Sequence, residues 1–357
     1  MRALIDILTP KQCLFFGKLS ERLEAQGHQV LRTTRQYREV EGLLRLKGLE
    51  ATVVGKHGGA SLSEKLRASA ERVLALASLF ENFKPDAVFS FSSPEAARVA
   101  FGLGTPHLCV NDSPHAEAVA RLTVPISKRL FTPKVVGRRA WTRFGINADA
   151  VVEYNALDPA AWLRGFKPDP AVPERLGLDR ALPIVVLRPE EAFAAYLLGK
   201  TKPRSIIEAL VERLLEAEPD VQLVVMPRYA EQVEAFKAYR SARLTVAESV
   251  LDGTSLLSYS SIFVGAGGTM TAEACLLGVP TLSCYPGEPY LVERFLLRKG
   301  LLKRASNVEE ALRYVQSVLG DLKLAQTVQR RRAQGLLARM EDPIEVISQG
   351  LKVVEQR

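Results

Sequence analysis

Short, uninterrupted apolar runs alternate with amphipathic stretches along almost the whole chain, and this alternation constrains the fold more than any single motif. ALIDIL (3–8) reads as a strand, FGKLSERLEAQ (16–26) as a helix and HQVLRTT (28–34) as the next strand. The cycle continues with a helix over 36–46, ATVV (51–54), a helix from Ser61 to Asn82, AVFS (87–90), a helix from Glu95, and HLCV (107–110). A helix over 115–124, KRLFT (128–132) and AVVEY (150–154) complete the series. Strands that are apolar at every position, rather than at every second one, are buried on both faces, as in a parallel sheet between helical layers. Strand–helix alternation of this kind specifies βαβ units.

Residues 155–183 break the rhythm with five prolines, and 156–182 reads as a linker. A second series follows: PIVVLRP (183–189), a helix over 203–217, VQLVVMP (221–227), a helix over 229–239, RLTVAE (243–248) and a short helix at SLLSY. SIFVG (261–265), a glycine turn with its helix, TLSCY (281–285) and helices near 290–299 and 307–319 complete it. The fold class is therefore α/β, with two Rossmann-like parallel-sheet domains facing across a cleft. The first domain spans 1–155 and the second 183–325, and a charged helix runs over 326–357.

A chain of 357 residues, 47% hydrophobic and 25% charged, suits two globular domains. No run of roughly 18 apolar residues marks a spanning helix, and MRALIDIL enters a strand directly with no cleavage pattern. Cys13, Cys109, Cys275 and Cys284 are scattered, as expected of reduced thiols in a cytoplasmic protein. The net charge is +8, and residues 121–144 carry seven Lys/Arg and no acid. That stretch reads either as a solvated face or as a surface for anionic lipid or a phosphorylated acceptor, helped by Trp141 and Phe144. The second reading would put the protein peripherally at the inner membrane face. Nucleic acid is not expected as a partner, because no recognised motif accompanies the charge.

Open α/β sheets bind ligands beyond the carboxyl ends of their strands, so candidate residues are those in loops that follow strands. VGAGGTMTAEACLLGVPTL (264–282) has three glycines between a strand and a helix. Its pattern is neither the dinucleotide GxGxxG nor a P-loop, so nicotinamide cofactors and P-loop ATPase chemistry are disfavoured. Backbone N–H groups at such a corner suit a diphosphate. Gly265, Gly267, Gly268, Thr269 and Met270 are the candidate ligands, with Arg188 and Arg228, which also follow strands, as counter-cations. Glu273, one turn into the helix, is placed to accept from ribose hydroxyls, or else simply favours the helix N-terminus.

GAGGTMTAEACLLGVPTLSCYPGE resembles the C-terminal sugar-nucleotide signature of GT-B-fold proteins. These include UDP-N-acetylglucosamine 2-epimerases and the glycosyltransferase that completes the lipid-linked peptidoglycan precursor. With GKHGG, SSPEAARVAFGLG, NDSPHA and PGEPYLVERFL, the whole chain resembles family 354 of domains of unknown function, whose members are mostly archaeal and bacterial. The resemblance implies a GT-B fold and nucleotide-sugar binding. Diphosphate contacts would fall on Gly267, Gly268 and Thr269, a ribose contact on Glu273, and a donor-sugar contact on Glu288. It assigns no reaction: the acidic and histidine set of the epimerases has no clear counterpart. The glycine-rich loop many transferases carry after their first strand is replaced by LTPKQCLFF (8–16).

On the N-terminal side, His57 (VVGKHGGAS) and His115 (VNDSPHAEA) both follow strands, and Asp112 lies three residues before His115. A histidine titrating near neutrality can deprotonate an acceptor hydroxyl while a carboxylate holds its tautomer. The competing reading makes Asp112 or Ser113 a helix cap and leaves His115 in the first turn. His28 and His107 read as structural, Asp6 as buried, and Ser93 as an N-cap before Pro94. The expected activity is glycosyl transfer from a nucleotide-diphosphate sugar, which the resemblance implies to be uridine-linked, without metal or cofactor. Epimerisation of the same ligand and non-catalytic nucleotide-sugar binding are the alternatives.

Overall fold

The computed structural model describes residues 1–59, 61–190 and 205–351. The chain divides into two compact units, Met1–Trp162 together with the chain from Met340, and Leu163–Arg339.

The first unit is a seven-stranded parallel sheet. Its strands are β1 (Arg2–Ile7), β2 (Gln29–Gln36), β3 (Thr52–Lys56), β4 (Ala87–Ser90), β5 (His107–Val110), β6 (Arg129–Pro133) and β7 (Val151–Tyr154). The spatial order β3-β2-β1-β4-β5-β6-β7 reverses direction between β1 and β4. β1, β4 and β5 carry apolar runs at the centre of the sheet, and their Leu4, Ile5, Val88, Phe89, Leu108 and Val110 are wholly buried. β3 is an edge strand in which only Val54 is buried.

Asp6 interrupts the apolar run of β1 at no solvent exposure. Its carboxylate accepts from both Nη atoms of Arg72, at 2.5 and 3.0 Å, and from Thr33 Oγ1 at 2.7 Å. Arg72 lies on the Leu62–Phe83 helix and also donates from Nε to the carbonyl of Val54 at 2.8 Å. Paired this way, the two buried charges tie that helix to β1 and β3; either one alone would be strongly destabilising. His107 behaves as a core residue, its ring nitrogens 2.8 Å from the hydroxyls of Ser90 and Ser127.

The second unit repeats the plan with six parallel strands. They are β8 (Ile184–Arg188), β9 (Gln222–Val225), β10 (Leu244–Val246), β11 (Ile262–Gly265), β12 (Thr281–Ser283) and β13 (Lys303–Arg304). Their order is β10-β9-β8-β11-β12-β13, with the reversal between β8 and β11. Val185, Leu187, Leu223, Val225, Ile262 and Val264 form one core with the helix over Ile206–Ala217. Val186, Val224 and Phe263 face the other layer.

Several elements differ from the sequence reading. The first helix starts at Pro10, not at residue 16, because Pro10 suits its first position and Gln12, Cys13 and Phe15 are buried. LTPKQCLFF is thus a helix start and not a loop. The helix expected over 326–357 is broken into Leu322–Leu337 and Pro343–Ser348, since Pro343 cannot continue a helix and Asp342 caps the new one; residues 352–357 of that expectation lie outside the described residues. The second piece belongs to the first unit, held there by Arg22 hydrogen-bonded to Glu345 and Glu341 to the amide of Asn155. Finally, the stretch read as a linker contains the short helices Ala160–Leu163 and Ala171–Arg175.

Among the described residues no helix is long and apolar enough to cross a membrane. In the basic stretch, Trp141 is wholly buried with Nε1 donating to Thr132 Oγ1, and Phe144 is 8% exposed. The two aromatics are core residues and cannot serve as membrane anchors.

Candidate functional site

The glycine turn lies where the strand order of the second unit reverses, the position at which doubly wound sheets bind ligands. Gly265 ends β11 in register with Arg188 at the end of β8. The amide of Ala266 donates to the carbonyl of Arg188 at 3.2 Å, which draws the two strand ends together. Gly267 (φ 83°) and Gly268 (φ 91°) then turn the chain through backbone space that side chains rarely enter. Gly267 also packs on Tyr285, where a Cβ would stand 3.3 Å from the ring. A helix, Thr269–Leu277, follows at once with no side-chain cap. Among the described residues, the amides of Gly267, Gly268, Thr269 and Met270 donate to no acceptor.

Arg228 supplies the cation beside this turn. A Cβ on Gly268 would lie 3.9 Å from its Nη2. Its Nε donates to the carbonyl of Pro189 at 3.1 Å, and its amide donates to Gln232 Oε1 at 2.8 Å. Arg188 directs Nη1 to the carbonyls of Met226 and Pro227, at 2.9 and 3.0 Å, and so braces the loop that carries Arg228. Met270 turns toward Gly253, 3.5 Å from the Cβ position there, and packs against the core. Glu273 is 3% exposed and accepts a hydrogen bond from the buried Thr254 hydroxyl. Glu288 sits at a loop tip with its side chain 91% exposed, and Arg294 approaches only to 3.8 Å.

Sequence reasoning does not single out Tyr285, whose hydroxyl meets that of Tyr290 at 2.6 Å, nor Arg304. Arg304 donates to the carbonyls of Tyr285 and Gly287 and secures the loop after β12.

In the first unit the two candidate histidines are separated. His57 follows β3 and His115 follows β5, four strand positions apart, about 19 Å at the usual inter-strand spacing. They cannot serve one proton as a pair. The exposed His57 ring stacks on Tyr37 with centroids 5.3 Å apart, and its Nδ1 accepts from the amide of Gly59 at 3.2 Å. That bond places the proton of the neutral ring on Nε2, so His57 presents a donor rather than a base.

His115 is half-buried beside a cluster that the sequence does not reveal. Lys11 Nζ lies 2.7 Å from Asp112 and 2.5 Å from Asp158, and 4.4 Å over the Phe91 ring. Tyr154 donates to Asp158 at 2.5 Å. Asp112 also accepts from Ser113 Oγ at 2.8 Å. Burial, followed by the neighbouring Asp112, raises the Asp158 carboxyl to about 6 against the pull of Lys11. Asp112 is held below the usual carboxylate range because Lys11 outweighs its burial. Burial lowers the pKa of His115, with Lys11 adding to the effect and Asp112 opposing it. A largely neutral imidazole next to a lysine–carboxylate network can accept a proton near neutral pH.

Two Rossmann-like parallel sheets in series, the second carrying an uncapped glycine turn at its switch point, define the GT-B class. By family the chain is a member of the group described as protein of unknown function (DUF354), whose model matches residues 1–351. The uncharacterized protein MJ0665 of Methanocaldococcus jannaschii is 32% identical over 321 residues, covering 88% of this chain and 91% of that protein. Similar solved structures include the UDP-GlcNAc 2-epimerase of Neisseria meningitidis bound to UDP-GlcNAc, at TM-score 0.73 and 17% identity, covering 100% of this chain and 99% of the other. The S. aureus MnaA–UDP structure aligns at TM-score 0.76 and 15% identity, covering 99% and 97% of the two chains. Anabaena Alr3699/HepE in complex with UDP and glucose aligns at TM-score 0.62 and 14% identity over the whole of both chains. At such identities these structures establish the fold.

Proposed function

We propose that this protein is a glycosyltransferase that takes its sugar from a nucleotide diphosphate, with uridine as the nucleoside. The observation that carries the reading is the set of four undonated amides at Gly267–Met270 with the Arg228 guanidinium beside Gly268. Preorganised N–H groups and a cation stabilise the charge that grows on a diphosphate as the glycosidic bond to it breaks. The similar structures solved with UDP or UDP-GlcNAc support uridine as the nucleoside.

The glycosyl carbon would leave the diphosphate oxygen and bond to an acceptor hydroxyl. His115 would take the hydroxyl proton, with Lys11 and Asp112 setting its field. Arg188 acts through the loop it braces, and Glu273 supports the helix that presents the amides.

A thermal-shift screen on the full chain tests the ligand, since a ligand at 100 times its Kd stabilises a protein by about 2.7 kcal/mol. UDP and UDP-sugars should raise Tm by several degrees, whereas NAD, ATP and S-adenosylmethionine should not. The reverse pattern would remove the proposal. The full-length likeness to a UDP-GlcNAc 2-epimerase favours one second reading, epimerisation without an acceptor. Conversion of UDP-GlcNAc to its manno-epimer by the purified protein alone would establish that reading in place of transfer.

A further inference from the structure

Arg35 occupies an irregularity in the first sheet. Thr34 stands opposite Val53 and Gln36 opposite Lys56, so two residues of β3 face the single Arg35. Bulges of this kind re-aim side chains and recur beside functional sites. The Arg35 guanidinium makes no hydrogen bond or ion pair among the described residues, and its Nε is buried. Buried donors that lack an acceptor are rare in native proteins, and a missing ion or ligand is a common explanation.

The nearest carboxylates are already engaged. Asp6 is taken by both Nη atoms of Arg72 and by Thr33. Glu95 lies 3.7 Å from Arg72 and accepts from Ser93 Oγ at 3.3 Å. Two further groups, His57 and Lys65, share this corner of the first unit. The His57 ring, stacked on Tyr37, offers Nε2–H because Nδ1 accepts from Gly59. Lys65, on the Leu62–Phe83 helix, has a side chain that makes no hydrogen bond or ion pair among the described residues. The charges of Arg35 and Lys65 add to burial in depressing the His57 pKa, so all three groups share one field. Glycine lets the loop close on that helix: a Cβ on Gly58 would fall 2.4 Å from Lys65 Cα.

We infer that Arg35, His57 and Lys65 form a second anion site, in the first unit, that binds the phosphate group of a phosphorylated acceptor. Donors drawn from two strand ends and a helix would suit the several oxygens of a phosphate. The word acceptor rests on the transferase reading; the phosphate site itself does not. It lies at the carboxyl ends of β2 and β3, outside the basic stretch 121–144.

The test titrates inorganic phosphate into the full chain, against chloride at matched ionic strength, and follows the His57 ring resonances by NMR. A saturable shift is expected with phosphate and none with chloride. Arg35→Ala should weaken phosphate binding about 10- to 100-fold, as loss of a charge-assisted hydrogen bond does. Lys65→Ala, a change on a helix surface that leaves the fold intact, should weaken it by about 3- to 10-fold. A His57 signal that ignores phosphate, or unchanged affinity in Lys65→Ala, would overturn the inference whether or not Arg35→Ala folds. UDP titrated into the same sample separates the two claims. Binding of UDP together with a His57 that ignores phosphate defeats the phosphate site alone, whereas phosphate at His57 without UDP binding defeats the transferase reading and keeps the site.

Discussion

Arg228 Nη2 lies within contact distance of Gly268, 3.9 Å from where that glycine's Cβ would be, and Gly268 is the last residue before an uncapped helix. The pairing sets a guanidinium beside free amides at the point where the second sheet reverses its strand order. A helix terminus alone attracts an anion by only about 0.3–2 kcal/mol. The added cation makes the corner selective for a diphosphate over a neutral nucleoside. Arg228→Ala should weaken UDP binding about 10- to 100-fold and leave uridine binding unchanged, as measured by calorimetry. Arg228→Lys should recover only part of the loss, because an ammonium cannot make the two-pronged contact.

Lys11 bridges two carboxylates, and most of its side chain is out of water. Lys11→Met should destabilise the protein by about 3–5 kcal/mol in urea unfolding, since it leaves Asp112 and Asp158 facing each other uncompensated. Adding Asp158→Asn should return a large part of that loss. An additive outcome would mean that the three groups are not one network.

His107 gives the fold a pH-dependent stability. Burial lowers its pKa from 6.5 to about 4. Between those values the unfolded chain binds a proton that the folded chain does not, so stability falls with acidification through this window and levels off below it. Integrated over the shift, the loss between pH 7 and pH 4.5 is about 2–3 kcal/mol from this residue. Urea unfolding of wild type and His107→Gln at the two pH values should differ by that amount in their pH dependence.

The separation of His57 from His115 predicts different kinetic phenotypes. His115→Ala should lower kcat about 10²- to 10⁴-fold, the usual worth of a general base, with little change in donor KM. His57→Ala should leave kcat nearly unchanged and raise KM for a phosphorylated acceptor. Both are read from steady-state rates with the donor identified by the nucleotide screen. Equal loss of kcat in the two variants would contradict the assignment.

Much of the fold was legible because strands buried on both faces leave continuous apolar runs such as IVVL and IFVG. β13 was not, since Lys303 and Arg304 are exposed cations with no pattern. The start of the first helix was hidden because its opening turn, PKQC, buries a glutamine and a cysteine rather than an apolar stripe. The glycine turn could be read locally, as its chemistry lies within one strand–loop–helix segment. The Lys11–Asp112–Asp158 cluster could not, because Lys11 and Asp112 are 101 residues apart and meet only through the sheet order. Arg35 was missed for a related reason: its isolation depends on a bulge and on Arg72 having taken Asp6.

Backbone amide NMR of the full chain during a UDP titration tests the central claim most directly. Saturable shifts are expected at Gly267, Gly268 and Thr269 with UDP, which uridine does not reproduce and Arg228→Ala diminishes. If those three amides stay in place while UDP saturates the protein elsewhere, or if UDP does not bind, the glycine turn is not a diphosphate site and the proposed activity is wrong.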